Sequence, residues 1–343
     1  MRAWTLDPLR DERWPGFVAR HPRASVFHSR GWLEALWRTY GYQPRAVTTS
    51  PPDAPLDDAL PFCSVGGLRG DRLVSLPFSD HCAPLVPDGS RLEVLAAHLV
   101  GEVAAGRARS VEARPPDGPD VPGMTRGAEY VLHTLDLSAP PGEIFQGFHP
   151  SSTRRAIRRA EREALRYERG NSDELLAVFY RLLTATRRRH GVPPPPVAWF
   201  RNLAACVGDA LAIHVASKDD RPVAAILTLS SPGALVYKYG GSDASRHPLG
   251  GMPFLFWQAI QWAKEGGRVT LDLGRSDLDQ PGLIAFKDHL GARRSTLVYY
   301  RHPAARPSGA GRGWAGRLAR GVFPRLPDPL LALAGRLLYR HFA

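Results

Sequence analysis

The chain has 343 residues and a formal net charge of +12 at pH 7, with 43% hydrophobic and 23% charged residues. This length and composition indicate a globular protein with room for two domains, each with its own core. Cys63, Cys82 and Cys206 are isolated and lack CxxC spacing, which argues against a disulfide framework and against a zinc site. The positive charge favours an anionic partner but does not choose between nucleic acid, a phosphate-bearing ligand and a membrane surface.

The first half of the chain predicts an α/β unit. The stretch "SRGWLEALWRTYG" has a serine cap and one apolar side, as a surface helix does. Strands are predicted at "RAVTT", "ALPFCSV" and "DRLVSLPF". The helix "SRLEVLAAHLVGEVAAG" and the strands "RSVEAR" and "YVLHTLDL" complete this half.

The second half repeats this order more clearly. Two helices are predicted at "SSTRRAIRRAEREALR", capped within 151–153, and at "SDELLAVFYRLLTATRRRHG". Three strands follow at "ALAIHVAS", "PVAAILTLS" and "ALVYKYGG". The chain then alternates between the helix "MPFLFWQAIQWAKEGG", the strand "RVTLDLG", the helix "GLIAFKDHLGA" and the strand "STLVYYRH".

The shared order predicts an α/β fold built from a duplicated unit. We expect domains at 1–140 and 141–302, with the seam near 138–150, followed by a basic tail at 303–343. The tail is rich in Arg, Gly and Pro and ends in "PLLALAGRLLYRHFA". Its last helix is expected either to pack on the domain or, within 312–343, to lie on an anionic membrane as a short amphipathic helix.

The start of the chain has no apolar segment of signal-peptide length, and no stretch reaches the ~18 apolar residues that cross a bilayer. We therefore expect a cytoplasmic protein. The tail leaves open a peripheral position at the inner face of the membrane.

The turn "SDASRHPLGGMPF" leads from a strand into a helix and holds Gly250 and Gly251 at the helix start. Unpaired N–H groups at a helix N-terminus attract anions, and Arg246 and His247 would add positive charge. The turn predicts an anion-binding site. It is similar to the Arg-x-x-Gly-x-Gly loop that holds a pyrophosphate in GNAT acyltransferases, and this resemblance implies a site for the phosphates of a donor molecule. A purely steric need for glycine is the alternative.

Two strand ends carry further polar side chains. In "LVYKYGGSD", the period of two places Tyr237 and Tyr239 on one face, either as half-buried strand residues or as hydroxyls that hold a substrate. In "LDLGRSDLD", a strand ends with Asp272, Arg275, Asp277 and Asp279 in a loop, where α/β sheets bind their ligands. Solvated turn residues are the alternative for this second group.

Lys287, in "GLIAFKDHLGA", is unusual because the chain has four lysines among 45 basic residues. Either it is a surface lysine on an amphipathic helix, or its compact charge is needed at a reacting centre. The helix that holds Arg155, Arg158, Arg162 and Arg166 is open to a similar choice, between a solvated face and a phosphate-binding face.

Four stretches, "STRRAIRRAEREALRYE", "VYKYGGSD", "LDLGRSD" and "GLIAFKDHLGA", occur in this order and spacing. The chain thereby resembles the Fem-type (FemABX) aminoacyl and peptidyl transferases. It equally resembles the related BioF2-like acetyltransferase domains of bacterial cell-envelope and polysaccharide loci. The resemblance covers most of residues 20–302 and is strongest from residue 145 onward. It implies two GNAT-like acyltransferase domains in tandem.

The resemblance also implies roles for single residues. Members move an aminoacyl group from aminoacyl-tRNA onto an amine of a peptidoglycan precursor, and looser relatives are expected to use CoA or other acyl donors. Tyr237 and Tyr239 match a Tyr-x-Tyr pair that contacts the acceptor. Phe286 and Lys287 match a Phe-Lys pair near the transferred acyl group.

On the basic helix, Arg155 or Arg158 matches the side chains that meet acceptor phosphates in the family. The chain departs from the family in two ways. It lacks the long antiparallel helical arm of some members. After Trp32, where members carry a lysine, the nearest basic residue is Arg38.

The sequence therefore predicts an N-acyltransferase that transfers an acyl or aminoacyl group from acyl-CoA or aminoacyl-tRNA to an amine. The acceptor is expected to be a small molecule or a cell-envelope precursor, with tRNA and the membrane as further candidate partners. No tightly bound cofactor, metal or DNA is expected. Direct attack is favoured because no nucleophile elbow is present, and Asp80 and Asp272 are the candidate bases. The alternative is a non-catalytic arginine-rich protein that binds RNA or a membrane surface.

Overall fold

The computed structural model describes residues 1–67, 70–116, 120–304 and 323–339. Within these ranges the chain forms two compact units. Unit 1 contains Met1–Val131 and residues 296–304, and unit 2 contains Leu132–Ser295 and residues 323–339. The segment that begins at Thr296 thus belongs to unit 1, although it follows the second half of the sequence.

Unit 1 is built around antiparallel strands with one parallel pair. Its helices are α1 (Arg13–Arg20), α2 (Arg30–Tyr40) and α3 (Gly89–Ala104). Its strands are β1 (Trp4–Leu6), β2 (Gln43–Thr48), β3 (Leu60–Val65), β4 (Arg72–Val74) and β5 (Ser110–Ala113). They follow one another along the sheet in chain order, and β4 pairs with β5 in parallel. The strand β12 (Arg293–His302) then pairs antiparallel with β5.

Unit 2 repeats this arrangement. Its helices are α4 (Pro141–Gly147), α5 (Arg155–Arg162), α6 (Asp173–Arg189), α7 (Val197–Val207), α8 (Gly251–Glu265), α9 (Pro281–His289) and α10 (Asp328–Leu338). Its strands are β7 (Arg166–Gly170), β8 (Leu211–Lys218), β9 (Arg221–Ser231), β10 (Ala234–Ser242) and β11 (Thr270–Asp277). They again lie in chain order, with β10 and β11 parallel. The end of β6 (Thr125–Asp136) lies beside β11.

The predicted duplication of an α/β unit is confirmed by this order. In each unit five successive strands are antiparallel except for the last pair, which is parallel. A long helix, α3 or α8, connects the two parallel strands, as a parallel connection requires. The sixth position is filled by β12 in unit 1 and by β6 in unit 2, so each half of the sequence ends in a strand beside the other half's fifth strand.

The predicted basic helix is shorter than the sequence indicates. It ends at Arg162, and Ala164 has a left-handed φ of 50°. The chain then turns into β7, which pairs antiparallel with β8 from Arg166 to Gly170. Arg166 is therefore a strand residue and does not continue the arginine face of α5. Pairing with a neighbouring strand outweighs the helix propensity of this segment, which local sequence alone does not reveal.

The tail contains α10, which packs on unit 2. Leu331 is fully buried, and a Cβ on Gly335 would overlap the carbonyl oxygen of Pro194. Residues 305–322 and 340–343, which include much of the predicted membrane segment, lie outside the described residues. Among the helices that are described, none is both long and apolar enough to cross a bilayer.

Candidate active site

A cavity of about 360 Å³ opens in unit 2 beside β10, between the start of α8 and the side of α9. Its apolar wall is formed by Met252, Phe256 and Phe286. Its polar groups come from several elements; they are Thr186, Tyr237, Ser242, Arg246, His247 and Lys287. A few polar groups in a mainly apolar cavity of this size are typical of a small-ligand site.

The cavity lies where two parallel strands separate. β10 and β11 pair in parallel from Ala234 to Val236 and from Thr270 to Asp272, before either strand ends. β10 nevertheless continues to Ser242, and Tyr237 and the residues from Gly240 to Ser242 line the cavity. The carboxyl ends of the two strands thus form an opening in the sheet, which is where α/β proteins bind their ligands.

Lys287 lies on the wall of this opening. Its side chain is only 3% exposed, and its ammonium donates hydrogen bonds to the carbonyl oxygens of Gly274, at 2.8 Å, and Arg275, at 3.0 Å. In a regular strand, successive carbonyl groups point in opposite directions. Gly274 has a φ of +69°, so the chain bends there and the carbonyl oxygens of Gly274 and Arg275 both reach the Lys287 ammonium. The surface-lysine alternative is therefore wrong.

The side chain of Asp272 is hydrogen-bonded to the backbone at the same bend. Asp272 is 7% exposed as a residue, and its carboxylate accepts a hydrogen bond of 2.7 Å from the backbone N–H of Gly274. Arg275 is half-buried and contributes its carbonyl oxygen to Lys287. Neither side chain is among those that line the cavity. Asp80 belongs to unit 1, where its carbonyl oxygen accepts a 2.7 Å hydrogen bond from the hydroxyl of Tyr299.

Tyr237 and Tyr239 do not share a face of the sheet, and that prediction is wrong. Tyr237 is opposite Thr228 on β9, and Tyr239 is opposite its neighbour Leu227, because Lys238 forms a β-bulge between them. A bulge inserts one residue and breaks the period of two. The sequence gives no sign of it, because the alternation of aromatic and polar residues looks regular.

The two tyrosines consequently have different surroundings. Tyr237 lines the cavity, and its ring lies 4.9 Å from that of Phe256 on α8. The hydroxyl of Tyr239 accepts a 3.0 Å hydrogen bond from the indole of Trp199, on the side covered by α6 and α7. Tyr237 can contact a ligand in the cavity, and Tyr239 supports the core.

The glycine pair at the start of α8 meets a steric need. Gly250 has a φ of +78°, and a Cβ there would overlap the carbonyl oxygen of Ala156 on α5. A Cβ on Gly251 would lie 2.8 Å from the side chain of Val223. The predicted anion site also remains compatible with the geometry, because Gly251 lines the cavity at the N-terminus of α8.

Two side chains of the preceding turn accompany that N-terminus. Arg246 lines the cavity and forms an ion pair of 3.7 Å with Asp243. His247 lines it too, with its Nε2 atom 2.9 Å from the hydroxyl oxygen of Ser242. Partial burial, and then the nearby charge of Arg189, lower the pKa of His247 below its ordinary value of 6.5. A neutral imidazole is favoured there at neutral pH.

His247 is a candidate functional residue that the sequence did not single out, because the motif indicated only that it would add positive charge. In the structure, two side chains of α6 hold the strand residue Ser242, to which His247 is hydrogen-bonded. The backbone N–H of Ser242 donates to the hydroxyl of Thr186 at 2.9 Å, and Arg189 donates to the carbonyl oxygen of Ser242 at 2.8 Å. The last turn of α6 thereby fixes the end of β10, to which His247 is hydrogen-bonded.

The remaining predicted residues divide into two groups. Phe286 and Lys287 line the cavity together, and the Phe286 ring lies 5.6 Å from that of Phe256. Arg155 and Arg158 are exposed on α5 and do not line the cavity. The guanidinium of Arg158 lies 5.9 Å from the centre of the Phe145 ring.

Comparison with known proteins agrees with this geometry. Residues 150–288, which contain most of the cavity-forming elements, match the family model of the acetyltransferase (GNAT) domain. A UDP-N-acetylmuramoylpentapeptide-lysine N(6)-alanyltransferase of Weissella viridescens is 28% identical over 159 residues, which are 45% of this chain and 46% of that protein. The resemblance to the Fem-type transferases is confirmed. The chain aligns with about half the length of this curated relative.

Solved structures support the fold over most of the chain. The crystal structure of FemX superposes with a TM-score of 0.68 at 15% identity, over 87% of this chain and 97% of that one. A tandem GNAT protein from the clavulanic acid biosynthesis pathway superposes with a TM-score of 0.54 at 16% identity, over 89% and 99%. The predicted fold, with duplicated GNAT-like domains, is confirmed.

Proposed function

We propose that the protein is an N-acyltransferase whose active site is the cavity beside β10. It would transfer an acyl or aminoacyl group from an activated donor to the amine of a cell-envelope precursor or small molecule. The GNAT domain match and the alanyltransferase relative support acyl transfer to an amine. The buried ammonium of Lys287 on the cavity wall is the observation that carries the proposal.

The reaction forms one C–N bond and breaks one C–O or C–S bond. The acceptor nitrogen attacks the carbonyl carbon of the ester or thioester, and negative charge develops on the carbonyl oxygen. Lys287 supplies positive charge where little water can screen it, which lowers the energy of such an intermediate. Its two bonds to backbone carbonyls fix the position of this charge before substrate binds.

The attacking amine must also lose a proton. We assign its acceptor as His247, the lining side chain whose pKa is lowered, because the neutral imidazole can take up a proton. Asp272 and Asp80 remain candidates from the sequence, but neither is among the residues that line the cavity. The hydrogen bond from the N–H of Gly274 favours a structural role for Asp272. The proton can then pass from His247 to the leaving oxygen or sulfur.

The donor is expected to be anchored by its phosphates. Both acyl-CoA and aminoacyl-tRNA carry phosphate groups, and the N-terminus of α8 with Arg246 offers N–H dipoles and a positive charge. No tightly bound cofactor is needed, because the donor is a co-substrate. Arg155 and Arg158, exposed on the adjoining α5, are proposed to bind phosphates of a larger substrate.

Mass spectrometry tests the proposal. The purified full chain is incubated with either acetyl-CoA or charged alanyl-tRNA, and with UDP-N-acetylmuramoylpentapeptide or simple diamines as acceptors. A mass gain on an acceptor that disappears in Lys287→Met supports the proposal. Salt-dependent RNA binding with no transfer from any donor would overturn it in favour of a non-catalytic RNA-binding protein.

A further inference from the structure

The helix α10 presents a continuous apolar side to solvent. Leu330, Leu333, Leu337 and Leu338 are 51%, 49%, 60% and 41% exposed. Their spacing of three, four and one residues places them on one side of a helix. They make up four of the nine large hydrophobic side chains that are exposed in the described part of the chain, and all four lie within a single helix.

The opposite side of α10 is fixed to unit 2. Leu331 is fully buried, and Gly335 sits against the carbonyl oxygen of Pro194 so closely that no side chain fits. The Pro194 segment is itself held, because the hydroxyl of Tyr180 on α6 donates to the carbonyl oxygen of Pro195 at 3.1 Å. The leucines therefore point outward from a helix that is already anchored by its other side.

Several arginines lie near α10 in the described part of unit 2. Arg336 on α10 and Arg325 before it are exposed, and Arg181 and Arg201 line a cavity of about 540 Å³ together with Ala332 of α10. Among the described residues that line this cavity, Asp173 is the one carboxylate. An apolar surface with an arginine border matches the acyl and headgroup layers of a bilayer that contains anionic lipid.

We propose that α10 docks the protein on an anionic lipid bilayer, with Leu330, Leu333, Leu337 and Leu338 inserted at the interface. The arginines then contact lipid phosphates, and Leu331 continues to hold the helix to unit 2. This surface is independent of acyl transfer, since no residue of α10 lines the cavity of Lys287.

The test is sedimentation of the full chain with vesicles. One set is phosphatidylcholine alone, and the other is equal parts of phosphatidylcholine and phosphatidylglycerol. We expect binding to the anionic set that weakens as salt rises. Replacing Leu333 and Leu337 by Gln should weaken it by about tenfold per leucine, because each loses the burial of a large apolar side chain.

A matched control replaces two exposed apolar residues elsewhere in unit 2, Leu278→Gln with Val269→Gln, which should leave vesicle binding unchanged. Thermal melts verify that both pairs stay folded, as exposed positions allow. Light scattering measures the oligomeric state of each protein. The proposal is overturned if the protein does not bind anionic vesicles, or if the variant with both leucines replaced binds them as wild type does. It is also overturned if the only effect of the two substitutions is the loss of a dimer.

Discussion

Tyr237 and Tyr239 are separated by one residue on β10, yet they contact opposite sides of the sheet. Tyr237 packs against Phe256 beside the cavity, and Tyr239 accepts a hydrogen bond from Trp199 in the core on the other side. The bulge at Lys238 is the cause. A pair that looks equivalent in the sequence should therefore respond differently to the same substitution.

Tyr237→Phe should lower kcat/KM by about tenfold or more if the hydroxyl of this cavity-lining residue orients the substrate, while stability changes little. Tyr239→Phe should leave kcat/KM within twofold and lower the free energy of unfolding by about 1 kcal/mol, because the Trp199 indole loses its acceptor. Steady-state kinetics and urea unfolding measure both quantities. Equal kinetic losses in the two variants would contradict the assignment.

Lys287→Met should reduce turnover by about 10²–10³-fold if the ammonium stabilises developing negative charge. It should also lower the free energy of unfolding by about 1–3 kcal/mol, because two backbone carbonyls lose their buried donor. Lys287→Arg should recover little, because the guanidinium is longer and planar. Initial rates and thermal melts of the three proteins give both effects.

Lys264→Met is the matched control. Lys264 lies on α8 outside the cavity, and its ammonium donates a 2.5 Å hydrogen bond to the carbonyl oxygen of Leu137. The Lys264→Met protein should be less stable than wild type and should keep the wild-type turnover. Normal turnover in Lys287→Met would mean that Lys287 has only a structural role, which is to hold the backbone bend at Gly274.

Activity should fall on the acid side at a pH below 6.5, because His247 must be neutral to take up the proton and its pKa is lowered. Its charged neighbours are Arg189, which disfavours protonation, and Asp243, which favours it. His247→Gln should remove this acid limb and reduce kcat by about 10²–10⁴-fold. His190→Gln, at an exposed histidine after α6, should keep the wild-type pH profile.

Gly250→Ala should lower the free energy of unfolding by about 2–4 kcal/mol, since the methyl group meets the Ala156 carbonyl and the backbone is left-handed. Gly142→Ala, in α4 with nothing near its Cβ, should instead be neutral or stabilising by about 0.5–1 kcal/mol. Urea unfolding measures both. A tolerated Gly250→Ala would mean that the contact between α5 and the start of α8 relaxes easily.

Acid should destabilise unit 2 through His214. Burial, and then the charge of Arg169, lower the pKa of His214 from 6.5 to about 3. The unfolded chain takes up a proton below its pKa of 6.5 and the folded chain does not, so stability falls as the pH drops from 6.5 toward 3. Between about pH 7 and pH 5 the loss should be roughly 2 kcal/mol smaller in His214→Gln than in wild type. Equal losses would show that other groups dominate.

The repeated order of elements was visible in the sequence because apolar periodicity is a local property. The strands β2, β3 and β8 to β10 and the helices α2, α3, α6 and α8 all lie where the pattern predicts them. β7 was missed because a five-residue polar strand owes its existence to pairing with β8, and its sequence continues the arginines of α5.

The site was only partly visible for a similar reason. Motifs located Tyr237, Phe286, Lys287 and the start of α8 along the chain, and these groups meet at one cavity. The bulge at Lys238 and the bend at Gly274 depend on how neighbouring strands pair, so they carried no local signal. His247 was undervalued because its role depends on its burial and on hydrogen bonding to Ser242.

The scarcity of lysine gives the protein a built-in reporter. Its four lysines are Lys218, Lys238, Lys264 and Lys287, and Lys287 is the fully buried one. An amine-reactive reagent therefore produces a very sparse pattern of modified peptides. Slow labelling of Lys287 through the cavity mouth would be blocked when a donor fills the cavity, while labelling of the half-buried Lys218 and Lys238 would continue. Occupancy of the site can thus be followed by peptide mass mapping even before any acceptor is known.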